Sequence, residues 1–147
     1  MADIQNIQFE IVTPERVVWK EDILQATLPT QEGEITILPN HISLVAILKP
    51  GVIEVKNLKQ EIEIISCSGG FVEVTPNRIV VLADTAERAV ELDEALIEEA
   101  RKKAEEMKKW KDADEMQFAE ANALIEKQMA RSKAVKKWRN LKNLNLK

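Results

Sequence analysis

The chain has 147 residues and a mass of 16.7 kDa, with 45% hydrophobic and 31% charged residues and a formal net charge of -4. That composition bounds it to one or two small soluble domains and excludes collagen-like, disordered and disulfide-framework classes. Apolar runs such as Ile42 to Leu48 fall well short of the ~20 residues that span a bilayer. Met1 to Glu10 has neither the basic start nor the apolar centre of a secretory signal, so neither secretion nor membrane spanning is expected. The single cysteine, Cys67, has no partner for an internal disulfide, and its apolar-rich surroundings predict a buried thiol in a reducing compartment. With one histidine, a Cys/His metal site is excluded.

In the first half the hydrophobic period is two. Ile7, Phe9 and Ile11 alternate with Gln8 and Glu10, and Ile35 and Ile37 alternate with Glu34 and Thr36. The alternation returns at Glu61-Ile62-Glu63-Ile64 and Val72-Glu73-Val74. Turn chemistry separates the runs at Thr13-Pro14-Glu15, Lys49-Pro50-Gly51, Ser68-Gly69-Gly70 and Thr75-Pro76-Asn77. Short strands with one buried face and one wetted face, separated by turns, predict a sandwich or barrel.

Composition shifts near residue 85. Residues 1–85 hold 29 Val, Ile and Thr against 4 in residues 86–147, while alanine rises from 4 to 11 and no Gly or Pro follows Pro76. Leu92, Leu96, Ala100, Ala104, Met107 and Trp110 step by three or four, which predicts one apolar helix face. Asp112 and Glu115 have the spacing of a capping box, so a second helix is expected to start there. Its Ala119, Ala123, Ala130 and Ala134 form a small-residue stripe suited to close approach by the preceding helix, antiparallel. The expected fold is therefore α+β: a β-sandwich over residues 1–86 followed by an α-helical hairpin over 87–147.

Charge is uneven too. Residues 1–85 carry 6 basic and 12 acidic side chains, and residues 127–147 carry 8 basic and none acidic. The basic tail is either a solvated helix end favoured by the helix dipole or a docking surface for something acidic. Nucleic acid is not the expected partner, because the chain is acidic overall and poor in stacking aromatics. Ser68-Gly69-Gly70 matches no phosphate-loop spacing. His41, after Pro39-Asn40, has no evident Ser or Cys partner, and Glu32 and Glu34 flank Gly33 as in a solvated turn. These residues point to a non-enzymatic interaction protein.

Three motifs in order, Glu32-Gly33-Glu34-Ile35-Thr36-Ile37-Leu38-Pro39-Asn40-His41, Ser68-Gly69-Gly70-Phe71-Val72-Glu73-Val74 and Val81-Leu82-Ala83-Asp84-Thr85-Ala86-Glu87-Arg88, resemble those of the epsilon subunit family of bacterial F-type ATP synthases. The resemblance implies a flattened antiparallel β-sandwich with a C-terminal helical hairpin. It also implies a non-catalytic rotor subunit, bound to the gamma subunit and the ring of c subunits, that helps couple proton flow to rotation. Glu34 and His41 would lie toward the ring. The hairpin would regulate, rising from the sandwich along gamma to obstruct rotation in the hydrolysis direction, with Arg131, Lys133, Lys136, Lys137 and Arg139 meeting acidic segments of the catalytic alpha/beta head. Membrane association would come only through the complex, at the cytoplasmic face of a bacterial membrane.

Some members of the family bind ATP at the hairpin through Leu or Ile, Asp, two variable residues, Arg and Ala. Here Leu92-Asp93-Glu94-Ala95-Leu96-Ile97 keeps Asp93 but has Leu96 for the arginine and Ile97 for the alanine. No cofactor is required on this reading, and Glu87, Arg88 and Asp93 are left as a degenerate, weak ATP site. Leu96 is instead assigned to the hairpin core. Thr36 and Asn40 also replace family glycines; Asn40 is expected to keep a positive-φ turn and Thr36 to extend a strand. The alternative from another class is a free-standing small-molecule or nucleotide sensor.

Overall fold

The computed structural model describes residues 5–109 and 115–145. Nine strands come first: β1 (Ile7–Val12), β2 (Val17–Thr30), β3 (Gly33–Ile37), β4 (Leu44–Leu48), β5 (Gly51–Asn57), β6 (Ile62–Cys67), β7 (Gly70–Thr75), β8 (Arg78–Ala83) and β9 (Ala86–Arg88). A 3-10 turn at Ala89–Glu91 then leads to two helices, α1 (Glu94–Lys109) and α2 (Glu115–Asn145). The expected sandwich and helical hairpin are both present. The predicted capping residue Asp112 and the apolar Trp110 lie outside the described residues.

The 14-residue β2 joins the two layers. Its first part pairs with β1, its later part with β3 and β5, and an irregularity in register between Ile23 and Gln25 marks the change of partner. One layer runs β1–β8–β7–β4, with β1 and β8 parallel. The other continues from β2 through β5 and β6 to β9. Alternation sends Ile7, Phe9 and Ile11 into the space between the layers, where they meet Ile23, Leu28, Ile53, Val72 and Ile79. Phe9, fully buried, packs its ring against Trp19 at 5.7 Å between centroids.

The turns follow the expected chemistry. Gln31 and Glu32 form the tip of the β2–β3 hairpin, Gly33 takes a φ of 123°, and the Thr30 hydroxyl donates to the Gly33 carbonyl. Asn40 has the positive φ foreseen, 64°. Thr36 extends β3 and places its hydroxyl 2.9 Å from that of Thr27 across the strand pair. At Gly70 a Cβ would stand 2.1 Å from the Leu82 carbonyl oxygen, so the β7–β8 approach excludes any side chain there.

Three details of the pattern are corrected. Ile62 is exposed, whereas Ile64, Ile65, Ser66 and Cys67 are buried in succession, because the hairpin covers the outer face of β6 and the sandwich core its inner face. Leu96 is 63% exposed and Met107 is exposed; the face of α1 that packs inward is carried by Ile97 and Ala104, one residue round the helix from Leu96. On α2, Ala119 and Ala123 face solvent, and Ala121, Gln128, Ala130, Ala134 and Val135 are the buried set. On α1, packing against α2 selects the stripe of Ile97 and Ala104; α2 packs against both α1 and the β5–β6 face, so Ala130 and Ala134 of the expected stripe are buried together with residues on another side of the helix.

Candidate functional site

Three surfaces carry the residues that the sequence singles out. The first follows β3 and its two ends: Glu32 and Glu34 are exposed at the β2–β3 hairpin end, and His41 sits past the opposite end, in the β3–β4 loop, with Nδ1 2.7 Å from the Ile42 carbonyl. A carbonyl oxygen only accepts, so Nδ1 is the donor in that contact. The place of His41 is that of a loop residue, between β3 and β4. Ile42, 77% exposed, projects from the same loop.

The second surface is the outer face of β4, β7 and β8. Pairing register sets Ile47 opposite Phe71 and Phe71 opposite Leu82, so these side chains form one cross-strand row, with Val45 two residues along the face. All four are exposed, Val45 to 73%. Single exposed apolar residues are ordinary, but a contiguous apolar row on a flat sheet is the mark of a docking surface.

The third surface is the seam between sandwich and hairpin. Val52, Ile64, Ala89 and Ala134 are buried together there, with Leu92, Trp138 and Leu141 packed around them. Polar contacts flank this apolar centre. Arg131 donates through Nε and Nη2 to the two carboxylate oxygens of Glu87, each at 2.5 Å, and through Nη1 to Gln128 at 3.2 Å. Lys137 reaches Glu54 at 2.6 Å. Arg139 pairs with Glu94 at the start of α1, as an antiparallel hairpin requires. A half-buried bidentate pair such as Arg131–Glu87 contributes roughly 1–2 kcal/mol, and the more exposed pairs less.

The basic residues thus divide. Arg131, Lys137 and Arg139 are engaged within the chain. Lys133 and Lys136 are exposed on α2 and line a cleft of about 710 Å³ with Lys49, Gly51, Glu98 and Arg101. The hydrogen bond from Arg101 holds the Glu98 carboxyl below the usual carboxylate range.

The structure does not bring Glu87, Arg88 and Asp93 together. Neighbours on a strand point to opposite faces: Glu87 turns outward to Arg131, while Arg88 turns to the mouth of the sandwich, 2.9 Å from Glu63 and 5.9 Å over the Trp19 ring. Asp93 caps α1, its Oδ1 accepting from the Ala95 N–H at 2.9 Å. Glu87 lines a smaller cleft of about 260 Å³ with Arg16, Asp84, Lys127 and Arg131, on which neither Arg88 nor Asp93 opens.

Sequence reasoning missed Glu54, Gln128 and Trp138 as seam residues. The signal available was the unbroken buried character of Gly51-Val52-Ile53 and Ile64-Ile65, which period-two strands with one wet face do not have. Cys67 is buried as expected. Loss of solvation pushes its thiol up to about 11, opposed in part by a hydrogen bond with the Gly69 backbone.

Among the described residues no group of three His, Cys, Asp or Glu side chains is placed to hold a metal ion, and no helix is long and apolar enough to cross a membrane. The molecule is a sandwich that exposes an apolar row on the outer face of β4, β7 and β8, with a helical hairpin clasped to the other face. Comparison with known proteins names the class. The family described as ATP synthase, Delta/Epsilon chain, beta-sandwich domain, matches residues 6–89. Proteins named ATP synthase epsilon chain are similar: that of Herpetosiphon aurantiacus is 48% identical over 101 residues, covering 68% of this chain and 73% of its own length. That of Dichelobacter nodosus is 42% identical over 107 residues, covering 73% and 75%. A chain in the cryo-EM structure of the Euglena gracilis mitochondrial ATP synthase (OSCP/F1/c-ring) shares the fold with a TM-score of 0.76 at 22% identity, covering 88% of this chain and 81% of that one. The chain belongs to the epsilon chain family of ATP synthase.

Proposed function

We propose that this chain is the non-catalytic epsilon subunit of the central stalk of a proton-translocating F-type ATP synthase. In this reading it couples rotation of the c-ring to the catalytic head and restrains ATP hydrolysis through its hairpin. The observation that carries it is the asymmetry of the sandwich in a chain of this family. The face with Val45, Ile47, Phe71 and Leu82 is left bare for a large permanent partner, while the opposite face holds the hairpin by a narrow, partly ionic seam.

The bare face is assigned to the gamma subunit, and Glu34 and His41, at the two ends of β3, to the polar loops of the c-ring. When the hairpin leaves the seam, its basic residues Arg131, Lys133, Lys136, Lys137 and Arg139 engage acidic segments of the alpha/beta head. The chain then sits peripherally at the cytoplasmic face of a bacterial membrane, held there by its partners. ATP is not a regulator on this reading: Leu96 replaces the motif arginine, and the remaining candidates are each occupied, Glu87 by Arg131, Arg88 by Glu63 and Asp93 by the helix cap. Saturable binding at micromolar ATP in calorimetry would overturn that part.

The test is ATP hydrolysis by a catalytic head containing gamma, with the full chain and with one ending at Glu91, so that β9 is kept. Binding of both to gamma, with inhibition only by the full chain, is the expected result. Binding without inhibition would reduce the chain to a coupling element. Failure of both to bind would remove the stalk assignment in favour of the ligand-sensor reading.

A further inference from the structure

The cations that the functional reading assigns to an acidic partner are not idle while the hairpin is down. Helix α2 packs on β5 and β6, with Ala134, fully buried, at the centre of the contact beside Ile64. Arg131 and Lys137 lie three residues before and after Ala134, so at 3.6 residues per turn they project about 60° to either side of it. Strand order is β5–β6–β9, which puts the two flanking strands beneath those two side chains.

Register completes the geometry. Glu54 pairs with Ile64, and Glu87 with Ser66; Ile64 and Ser66 are two apart on β6, so both glutamates stand on the face that the hairpin covers. Arg131 grips Glu87 on β9, Lys137 grips Glu54 on β5, and the helix is straddled across β6.

We infer that Glu54 and Glu87 are the sandwich half of an ionic latch, which holds the hairpin down by occupying the cations that a released hairpin offers to an acidic surface. This rests on the functional reading above for what the released hairpin meets. The physical reason is charge pairing. Both ion pairs are partly buried, so opening the seam into solvent breaks contacts that water replaces incompletely, whereas an acidic partner offers carboxylates for carboxylates. Release is thereby tied to encountering the right surface. The sandwich acids and the hairpin cations play opposite parts: losing the acids frees the hairpin with its cations intact, and losing the cations frees it disarmed.

Two measurements on the full chain separate the latch from the functional reading. In isolated protein labelled with fluorotryptophan, the Trp138 resonance, assigned through Trp138→Phe, reports seam packing, and Trp19 against Phe9 reports an intact sandwich. The double variant Glu54→Gln/Glu87→Gln is expected to raise the released fraction about tenfold, as is Arg131→Gln/Lys137→Gln, with Trp19 unmoved; moderate salt should do the same only in the parent chain. An unchanged Trp138 signal in both variants overturns the latch. In the gamma-containing head, the acid variant should inhibit hydrolysis more strongly than the parent and the base variant less. Movement in the same direction by both would overturn the exchange, while a parent chain that binds and does not inhibit would remove the inhibitory part of the functional reading and leave the Trp138 result to judge the latch.

Discussion

Between the two layers of the sandwich, Ile7, Phe9, Ile11, Leu28, Ile53 and Ile79 are all fully buried, and each large apolar side chain contributes about 1.5–3 kcal/mol. On the other side of β6, Ala134 of the hairpin meets Val52, Ile64 and Ala89, with Leu92, Trp138 and Leu141 packed around them and ion pairs on the flanks. An alanine methyl contributes roughly 0.8 kcal/mol. The same strand, β6, therefore bounds a wholly apolar core on one side and a smaller, partly ionic contact on the other. The difference teaches that a second layer can rest on a smaller contact when the strand beneath it is already secured from its other face.

The comparison can be broken at the core first. Phe9→Ala should cost about 3–5 kcal/mol and lower the denaturation midpoint of the whole chain, with sandwich and hairpin signals lost together. If only the hairpin signal moved, the sandwich would not be the stable member.

Next in size is the pH dependence that Cys67 imparts. Its pKa in the folded chain is raised to about 11, so the unfolded chain gives up this proton first as pH rises. The contribution is intact below about pH 9 and is lost as pH approaches 11, a change on the order of 2–3 kcal/mol. Urea midpoints across that window, for the parent and Cys67→Ala, should show a slope in the parent that the variant lacks.

The seam gives a smaller and local effect. Ala134→Leu overfills the contact with Ile64 and should cost the docked state about 1–3 kcal/mol, raising exposure of Trp138 while the main unfolding transition stays in place. A shift of the main transition instead would mean that hairpin and sandwich unfold as one unit. The smallest effect belongs to Leu96→Arg, which places an arginine at an exposed position. Stability should change by no more than about 0.5 kcal/mol by thermal melting. A larger loss would put Leu96 in a contact that its exposure denies.

Much of the sandwich is legible in the sequence because a strand has only two faces. Once Ile7, Phe9 and Ile11 alternate with polar residues, their side is settled, and Gly33 and Asn40 mark turns that need positive φ. The hairpin is legible as two helices and not in its facing. Leu96 and Ile97 both fit an apolar step to Ala100 and Ala104, and α2 packs against both α1 and the sheet, so no single stripe of its alanines marks the buried side. A shift of one residue turns a helix by only about 100°, and alanine is too small to declare a side. Among the candidate site residues, Glu34 and His41 stand exposed or half-exposed as a loop surface should. Glu87 and Arg88 part company because adjacent strand residues face opposite ways, a consequence of β9 pairing with β6 that residue counting does not contain.

By itself the sequence determined the division into a strand-rich half and a Gly- and Pro-free helical half, the turns, the buried thiol and the concentration of positive charge at the end. Each of these follows from local chemistry: backbone restriction, side-chain period and net charge. The tertiary structure alone decided that β2 would serve both layers, that the hairpin would cover β6 and leave β4, β7 and β8 bare, and that Arg131 and Lys137 would find Glu87 and Glu54. Those outcomes depend on which surfaces meet. Pairings 44 and 83 residues apart in the chain are fixed by strand order and helix facing, which no local pattern specifies.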